Sequence, residues 1–119
     1  MKSAGSLQRI YDMKVSTVWP LYVKKLERKG RSADELNSVA LWLTGFSQQE
    51  LDDQIALGAS FKEFFERAQL NPNARLITGV VCGVRVEDIE DPLMQRVRYL
   101  DKLVDELAKG RVLDRVLRV

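Results

Sequence analysis

Asp91-Pro-Leu-Met-Gln-Arg-Val-Arg-Tyr-Leu-Asp-Lys-Leu-Val-Asp-Glu-Leu-Ala-Lys-Gly110 is the stretch that decides the fold. Leu93, Val97, Leu100, Leu103, Val104, Leu107 and Ala108 recur at spacings of three and four. That period places them on one face of an α-helix. Asp91 before Pro92 is a helix start, with a side-chain acceptor at the cap and proline at the first helical position. Gly110 is a stop, because glycine takes the left-handed conformation past a helix end without steric penalty. The pattern predicts a helix over Pro92–Lys109. Arg98, Asp101, Lys102, Asp105 and Glu106 fall largely off the apolar face and read as solvated charges.

The same punctuation recurs upstream. Ser32 to Glu35, Ser47 to Glu50 and Ser60 to Glu63 each spell Ser-x-x-Glu. In that box the serine oxygen accepts from an early helical N–H, and the glutamate reaches back to the serine N–H. Gly30, Gly45 and Gly58 mark helix ends. The chain therefore predicts helices over Thr17–Lys29, Ala33–Thr44, Gln48–Leu57, Phe61–Gln69, Pro72–Cys82 and Val112–Leu117. Pro20 is tolerated as part of an opening turn.

Leu76-Ile-Thr-Gly-Val-Val-Cys-Gly-Val-Arg-Val86 resists that reading. It is β-branched and carries glycines four apart. A strand pair with Gly83 near its turn fits. A buried helix with Gly79 and Gly83 on a flat face fits too, and Asn71-Pro72 favours that helix as its start. The expected fold class is thus all-α (mainly α): a single-domain bundle of six to seven helices over 1–119. A short β element near 76–86 is the alternative there, and residues 1–8 are expected to be disordered.

Composition narrows function. The sequence contains no histidine and one cysteine, Cys82. That removes histidine-activated nucleophiles, histidine general bases and nearly all zinc sites. No internal disulfide is possible, which suits a reducing compartment. No apolar run approaches the ~20 residues that span a bilayer, and the polar N-terminus lacks a signal-peptide core. These features predict a cytoplasmic protein with no membrane association, no cofactor and no metal. The net charge of +2 lacks the basic excess of a dedicated nucleic-acid binder.

Several clusters could still carry chemistry. Lys24, Lys25, Arg28, Lys29 and Arg31 gather near the end of the Thr17–Lys29 helix; Arg111, Arg115 and Arg118 gather in the tail. Cations complement a helix C-terminus. If the two groups converged in space they would form a phosphate-binding face. Thr44 to Ile55 has the cadence of a helix-turn-helix. Its second helix carries Glu50, Asp52 and Asp53 and no basic residue, so it reads as a packing corner. Glu87, Asp88, Glu90 and Asp91 could hold a hard cation, yet helix capping and the positive helix end account for them. Cys82 reads as a small buried hydrophobe, with a thiolate activated by Arg85 as the catalytic alternative. Trp19, Tyr22, Trp42, Phe46, Phe61, Phe64 and Phe65 fall at helical spacings and read as core. The tail from Arg111 to Val119 is amphipathic, and either its own core or a second copy of the chain must cover its apolar side.

Ile77-Thr-Gly-Val-Val-Cys-Gly-Val-Arg-Val-Glu-Asp-Ile-Glu-Asp-Pro-Leu-Met94, Arg98-Tyr-Leu-Asp-Lys-Leu103 and Asp105-Glu-Leu-Ala-Lys-Gly110 are distinctive segments. With Arg9-Ile-Tyr-Asp-Met13, Pro20-Leu-Tyr-Val23, Lys29-Gly-Arg31 and Trp42-Leu-Thr-Gly45, the chain from Arg9 onward resembles the bacterial family catalogued as domain of unknown function two thousand two hundred. Trp19 departs from the family's tyrosine before the proline. The resemblance implies a bacterial, cytoplasmic setting and carries over no activity and no site residues.

Together these readings predict a helical binding or interaction protein that self-associates into a homo-oligomer, its small-molecule ligand, if any, unknown. The missing catalytic residue types weigh against an enzyme. The alternatives are a nucleic-acid binder using Lys24, Lys25, Arg28, Arg31, Arg111 and Arg115, and an enzyme using Cys82, Arg85, Glu87 or Asp88. Gly79 to Asp91 concentrates the most unusual residues and is the first place to look for a site.

Overall fold

The computed structural model describes residues 8–118. The expectation of disorder over 1–8 therefore falls mostly outside the described residues; Gln8 opens a helical turn over 8–12. Four helices follow: α1 (Val15–Glu27), α2 (Ala33–Thr44), α3 (Gln48–Ala56) and α4 (Phe61–Arg67). A 3₁₀ turn (Pro72–Leu76) leads into strands β1 (Val80–Val81) and β2 (Val84–Arg85), then a second 3₁₀ turn (Val86–Asp88). The chain closes with α5 (Pro92–Ala108) and α6 (Leu113–Val116). The fold is mainly α. Among the described residues, no helix is long and apolar enough to cross a membrane.

The punctuation works as its chemistry requires. Ser47 and Ser60 both form complete capping boxes with Glu50 and Glu63. The Asp91 carboxylate accepts from the Met94 N–H at 2.8 Å. Ser32 is the exception: its side chain makes no capping bond, and Glu35 pairs with Arg31, 2.6 Å away. Gly45 ends α2 at φ 73°, and a Cβ there would lie 2.9 Å from the Gln69 carbonyl. Glycine is needed at that point for the backbone angle and for the close approach.

α5 is the central element, packing against α1, α2, α4, α6 and the hairpin. Its apolar face supplies Val97, Leu100, Leu103, Val104 and Leu107 to the core. Phe61, Phe64 and Phe65 of α4 are buried beside Phe46, with Phe64 edge-on to both Phe46 and Phe65. Each such side chain contributes roughly 1.5–3 kcal/mol through burial. Trp19 and Trp42, expected in the core, are only half-buried and pack against its margin. The Cα radius of gyration of 13.5 Å matches a close-packed chain of this length.

The preferred helix over 72–82 is corrected to a β hairpin. Asn71-Pro72 starts only a five-residue 3₁₀ turn, with the Asn71 side chain capping the Asn73 N–H. Gly79 and Gly83 then take φ 107° and 78°, outside the right-handed helical region. Val80 pairs with Arg85 and Val81 with Val84. The intervening Cys82 and Gly83 both have positive φ, the type I′ arrangement that suits the right-handed twist of a two-residue hairpin.

Candidate basic junction

The segment singled out by its residue types, Gly79 to Asp91, shapes itself. Glu87 accepts from the Gly79 N–H at 2.9 Å and lies 3.6 Å from Arg85, closing the base of the hairpin. The Gly79 N–H, then its own backbone N–H and Arg85, hold the Glu87 carboxyl below its ordinary pKa. Asp91 caps α5 and also accepts from Tyr11 Oη at 2.5 Å. Desolvation and that bond push the Tyr11 phenol up to about 12. Asp88 is exposed. Among the described residues, no group of three or more acidic or thiol side chains is arranged to hold a metal ion.

Cys82 is not the buried hydrophobe expected. It is exposed at the hairpin tip, because a two-residue turn projects its central side chains away from the pair. Its φ of 51° is one that L side chains other than Asn and Asp adopt at a cost of roughly 1–2 kcal/mol. Arg85 is occupied by Glu87, not by the thiol.

The two basic clusters converge. Arg31, just past α1, donates through Nη1 to the carbonyls of Leu107 (3.0 Å) and Arg111 (2.9 Å) at the end of α5. Its other edge forms a two-point pair with Glu35, and that bond holds the Glu35 carboxyl below its ordinary pKa. Lys25 of α1 and Lys109 both reach Asp105, at 3.3 and 3.1 Å. Burial pushes the Asp105 carboxyl up, but hydrogen bonds from Lys109 and Lys25 outweigh it and the net shift is downward. Lys24, Arg28, Lys29 and Arg115 are exposed and make no ion pair among the described residues.

Two acidic residues of α5 look ordinary in the sequence. Glu106, expected as a solvated charge, is buried, with its side chain 6% exposed. The tail folds back over it: Arg118 grips both carboxylate oxygens at 2.6 and 2.7 Å, and Arg111 approaches to 3.4 Å. Asn73 fixes the same tail by donating to the Arg118 carbonyl at 2.7 Å. Asp101 is likewise held, accepting from buried Tyr22 Oη at 2.5 Å and pairing with Arg98 at 2.8 Å. Burial, then Asp101, raises the Tyr22 phenol well above its ordinary pKa. Nothing local in the sequence announces these pairs, whose partners lie 12 and 79 residues apart.

Part of the tail's apolar side is covered by the protein's own core, while Val112 stays 60% exposed. Val116 is buried and Leu113 and Leu117 pack beside it. The helix-turn-helix cadence is a three-residue link between α2 and α3; Leu51 faces the core, Glu50 closes its capping box, and Asp52 and Asp53 accept from Gln48 and Gln49.

A mainly helical domain with one small hairpin and a basic junction at the C-terminal end of α5 defines the class. The chain belongs to the DUF2200 family, described as an uncharacterised protein conserved in bacteria, whose profile matches residues 9–118. It is similar to the uncharacterised protein SP1917, known from a crystal structure: 42% identity, 92% of this chain and 91% of that one covered, and a TM-score of 0.87. No curated protein matches the chain.

Proposed function

We propose that this protein acts by binding, and that the basic junction is its contact surface for an acidic partner. The meeting of the two clusters carries this reading: Arg31 joins the end of α1 to the end of α5, Lys25 reaches Asp105 beside it, and Lys24, Arg28, Lys29 and Arg115 of the same two segments are exposed. A surface of one sign attracts an oppositely charged partner and steers its approach. Val116, Leu113 and Leu117 of the tail pack on the chain's own core, so self-association is the second reading, with exposed Val112 as its contact.

Fluorescence anisotropy with a labelled oligonucleotide and with labelled poly-glutamate tests the proposal. Binding of either is expected to weaken steeply between about 50 and 200 mM salt. Reversing the charges of Lys24, Lys25 and Arg28 together is expected to weaken it at least about tenfold, because a phosphate that no cation neutralises keeps its condensed counterions. Affinity unchanged by the reversal would overturn the reading. Sedimentation of the same sample at a whole multiple of 13.6 kDa would favour a second copy as the partner instead.

A further inference from the structure

Beside the junction lies an open depression of about 450 Å³, lined by Lys102, Glu106, Lys109, Gly110 and Arg111. We infer that this depression seats a phosphate group, gripped by Lys102, Lys109 and Arg111. The inference rests on the basic-junction reading for its choice of an acidic ligand and adds the chemical class of the group bound.

Charge is the first argument. Asp105 and Glu106 are shared by Lys25, Lys109, Arg111 and Arg118. Lys102 adds a further cation, whose ammonium donates to the Val80 carbonyl at 3.3 Å and pairs with no carboxylate among the described residues. Five cations thus face two carboxylates. The bidentate grip of Arg118 satisfies Glu106, so Arg111, at 3.4 Å and half exposed, is the loosely held member. Lys109 is 71% exposed and free to swing from Asp105.

Geometry is the second. Lys102 and Lys109 are seven residues apart, two turns along one face of α5. Arg111 follows just past the helix end, and all three cations line the same depression. A tetrahedral group with several charged oxygens matches that arrangement better than a planar carboxylate, and arginine can meet it with two parallel N–H groups. The negative end of a helix would ordinarily repel an anion. Here Arg31 covers the Leu107 and Arg111 carbonyls. Gly110 leaves the wall open, with nothing within 4 Å of where its Cβ would stand.

The test is a titration of the full chain with inorganic phosphate at constant ionic strength, followed by ¹H–¹⁵N spectra. Saturable shifts at the amides of Lys109, Gly110 and Arg111 are expected, with affinity at least about tenfold weaker in the double variant Lys102→Gln, Lys109→Gln. Neither side chain is part of the core, and a matching thermal transition would show that the variant folds. A 5′-mononucleotide binding more tightly than an oligonucleotide without terminal phosphates identifies a phosphomonoester; the reverse order identifies a phosphodiester backbone. Absent shifts, or shifts the double variant leaves unchanged, overturn the phosphate seat. Oligonucleotide binding that survives Lys102→Gln, Lys109→Gln but not reversal at Lys24, Lys25 and Arg28 overturns the seat and leaves the basic junction standing. Phosphate shifts abolished by the double variant, with neither polyanion bound by the wild-type chain, overturn the junction as a macromolecular surface and support the seat.

Discussion

The hairpin segment from Gly79 to Asp91 and the junction at the end of α5 make an instructive pair. The hairpin draws the eye in the sequence: two glycines, the single cysteine, an arginine and four carboxylates within thirteen residues. In the fold its conspicuous members serve local geometry. Gly79 and Gly83 supply positive φ, Glu87 closes the base and Asp91 caps a helix. The junction draws on residues that look routine one at a time. Its character comes from assembly, as segments around residues 25–35, 102–111 and 118 meet and cations outnumber carboxylates. Unusual residue types mark places where the backbone needs them; an uncompensated surface is made by the tertiary fold.

If that contrast holds, cutting the junction's buried pair should hurt most. Replacing Glu106 by alanine leaves Arg118, whose side chain is 14% exposed, without its carboxylate. Removing one partner of a buried ion pair costs about 3 kcal/mol, and equilibrium urea unfolding would measure it. A loss below about 1 kcal/mol would mean that the tail is not held by this pair and that the depression beside it is loosely built.

Tyr22→Phe comes next. It removes a hydroxyl donor to a charged acceptor, and such bonds contribute about 1.5–3 kcal/mol. The sign of its pH dependence follows from the raised phenol pKa. The folded state holds the proton more tightly than the unfolded chain, so this contribution is intact below the unfolded value of 10.0 and is lost as pH rises above it. Wild-type stability should therefore fall above about pH 10, and the variant should show a shallower fall. Tyr11, pushed up to about 12, adds to the same alkaline limb and would leave a residual slope in Tyr22→Phe. Parallel slopes for the two proteins would show that Tyr22 titrates normally and that its bond to Asp101 is weak.

Much of the fold is legible without coordinates because helix ends are written locally. Ala33–Thr44 is read at its observed bounds, and Ser47, Ser60 and Asp91 cap as their spacing demands. The failures have physical causes. Ser32 makes no side-chain capping bond, and its box partner Glu35 is drawn into a two-point pair with Arg31 that the spacing does not announce. The 72–82 helix fails because β-branched residues and positive-φ glycines outweigh one good N-terminal signal. The exposure of Cys82 follows from that same error. The basic residues Lys24, Lys25, Arg28, Arg31, Arg111 and Arg115 are visible in the sequence as two clusters, but the meeting of Arg31 with Arg111 and of Lys25 with Asp105 depends on how α1 packs on α5. Glu106 is invisible there, since only the returning tail buries it.

Cys82→Asn probes the hairpin side of the comparison at a smaller magnitude. Asparagine tolerates the left-handed region and is favoured in type I′ turns. Relief of the strain at φ 51° should raise stability by about 0.5–1 kcal/mol, read as an upward shift in the urea midpoint with unchanged slope. A midpoint that falls would mean that the thiol makes a contact worth more than the strain, and the hairpin tip would then hold more than a turn.

The smallest effect separates the two regions by their response to acid. Glu87 is exposed, and its carboxyl lies below its ordinary value chiefly because the Gly79 N–H donates to it. A depressed folded pKa gives a contribution that is present above the unfolded value and lost as pH falls through the folded one. Glu87→Gln removes that charge-assisted acceptor, so the variant should lose less stability than wild type as pH falls below about 4.5. Asp105, also depressed through Lys109 and Lys25, loses its contribution in the same direction, so the acid limb of Glu87→Gln should flatten only in part. Amide exchange locates the change. With wild type brought to low pH, the Gly79 amide should lose protection as Glu87 protonates, and Lys109 to Arg111 should follow Asp105 at their own midpoint. One shared midpoint would mean that the hairpin and the junction open together and that the division between them is only one of residue type.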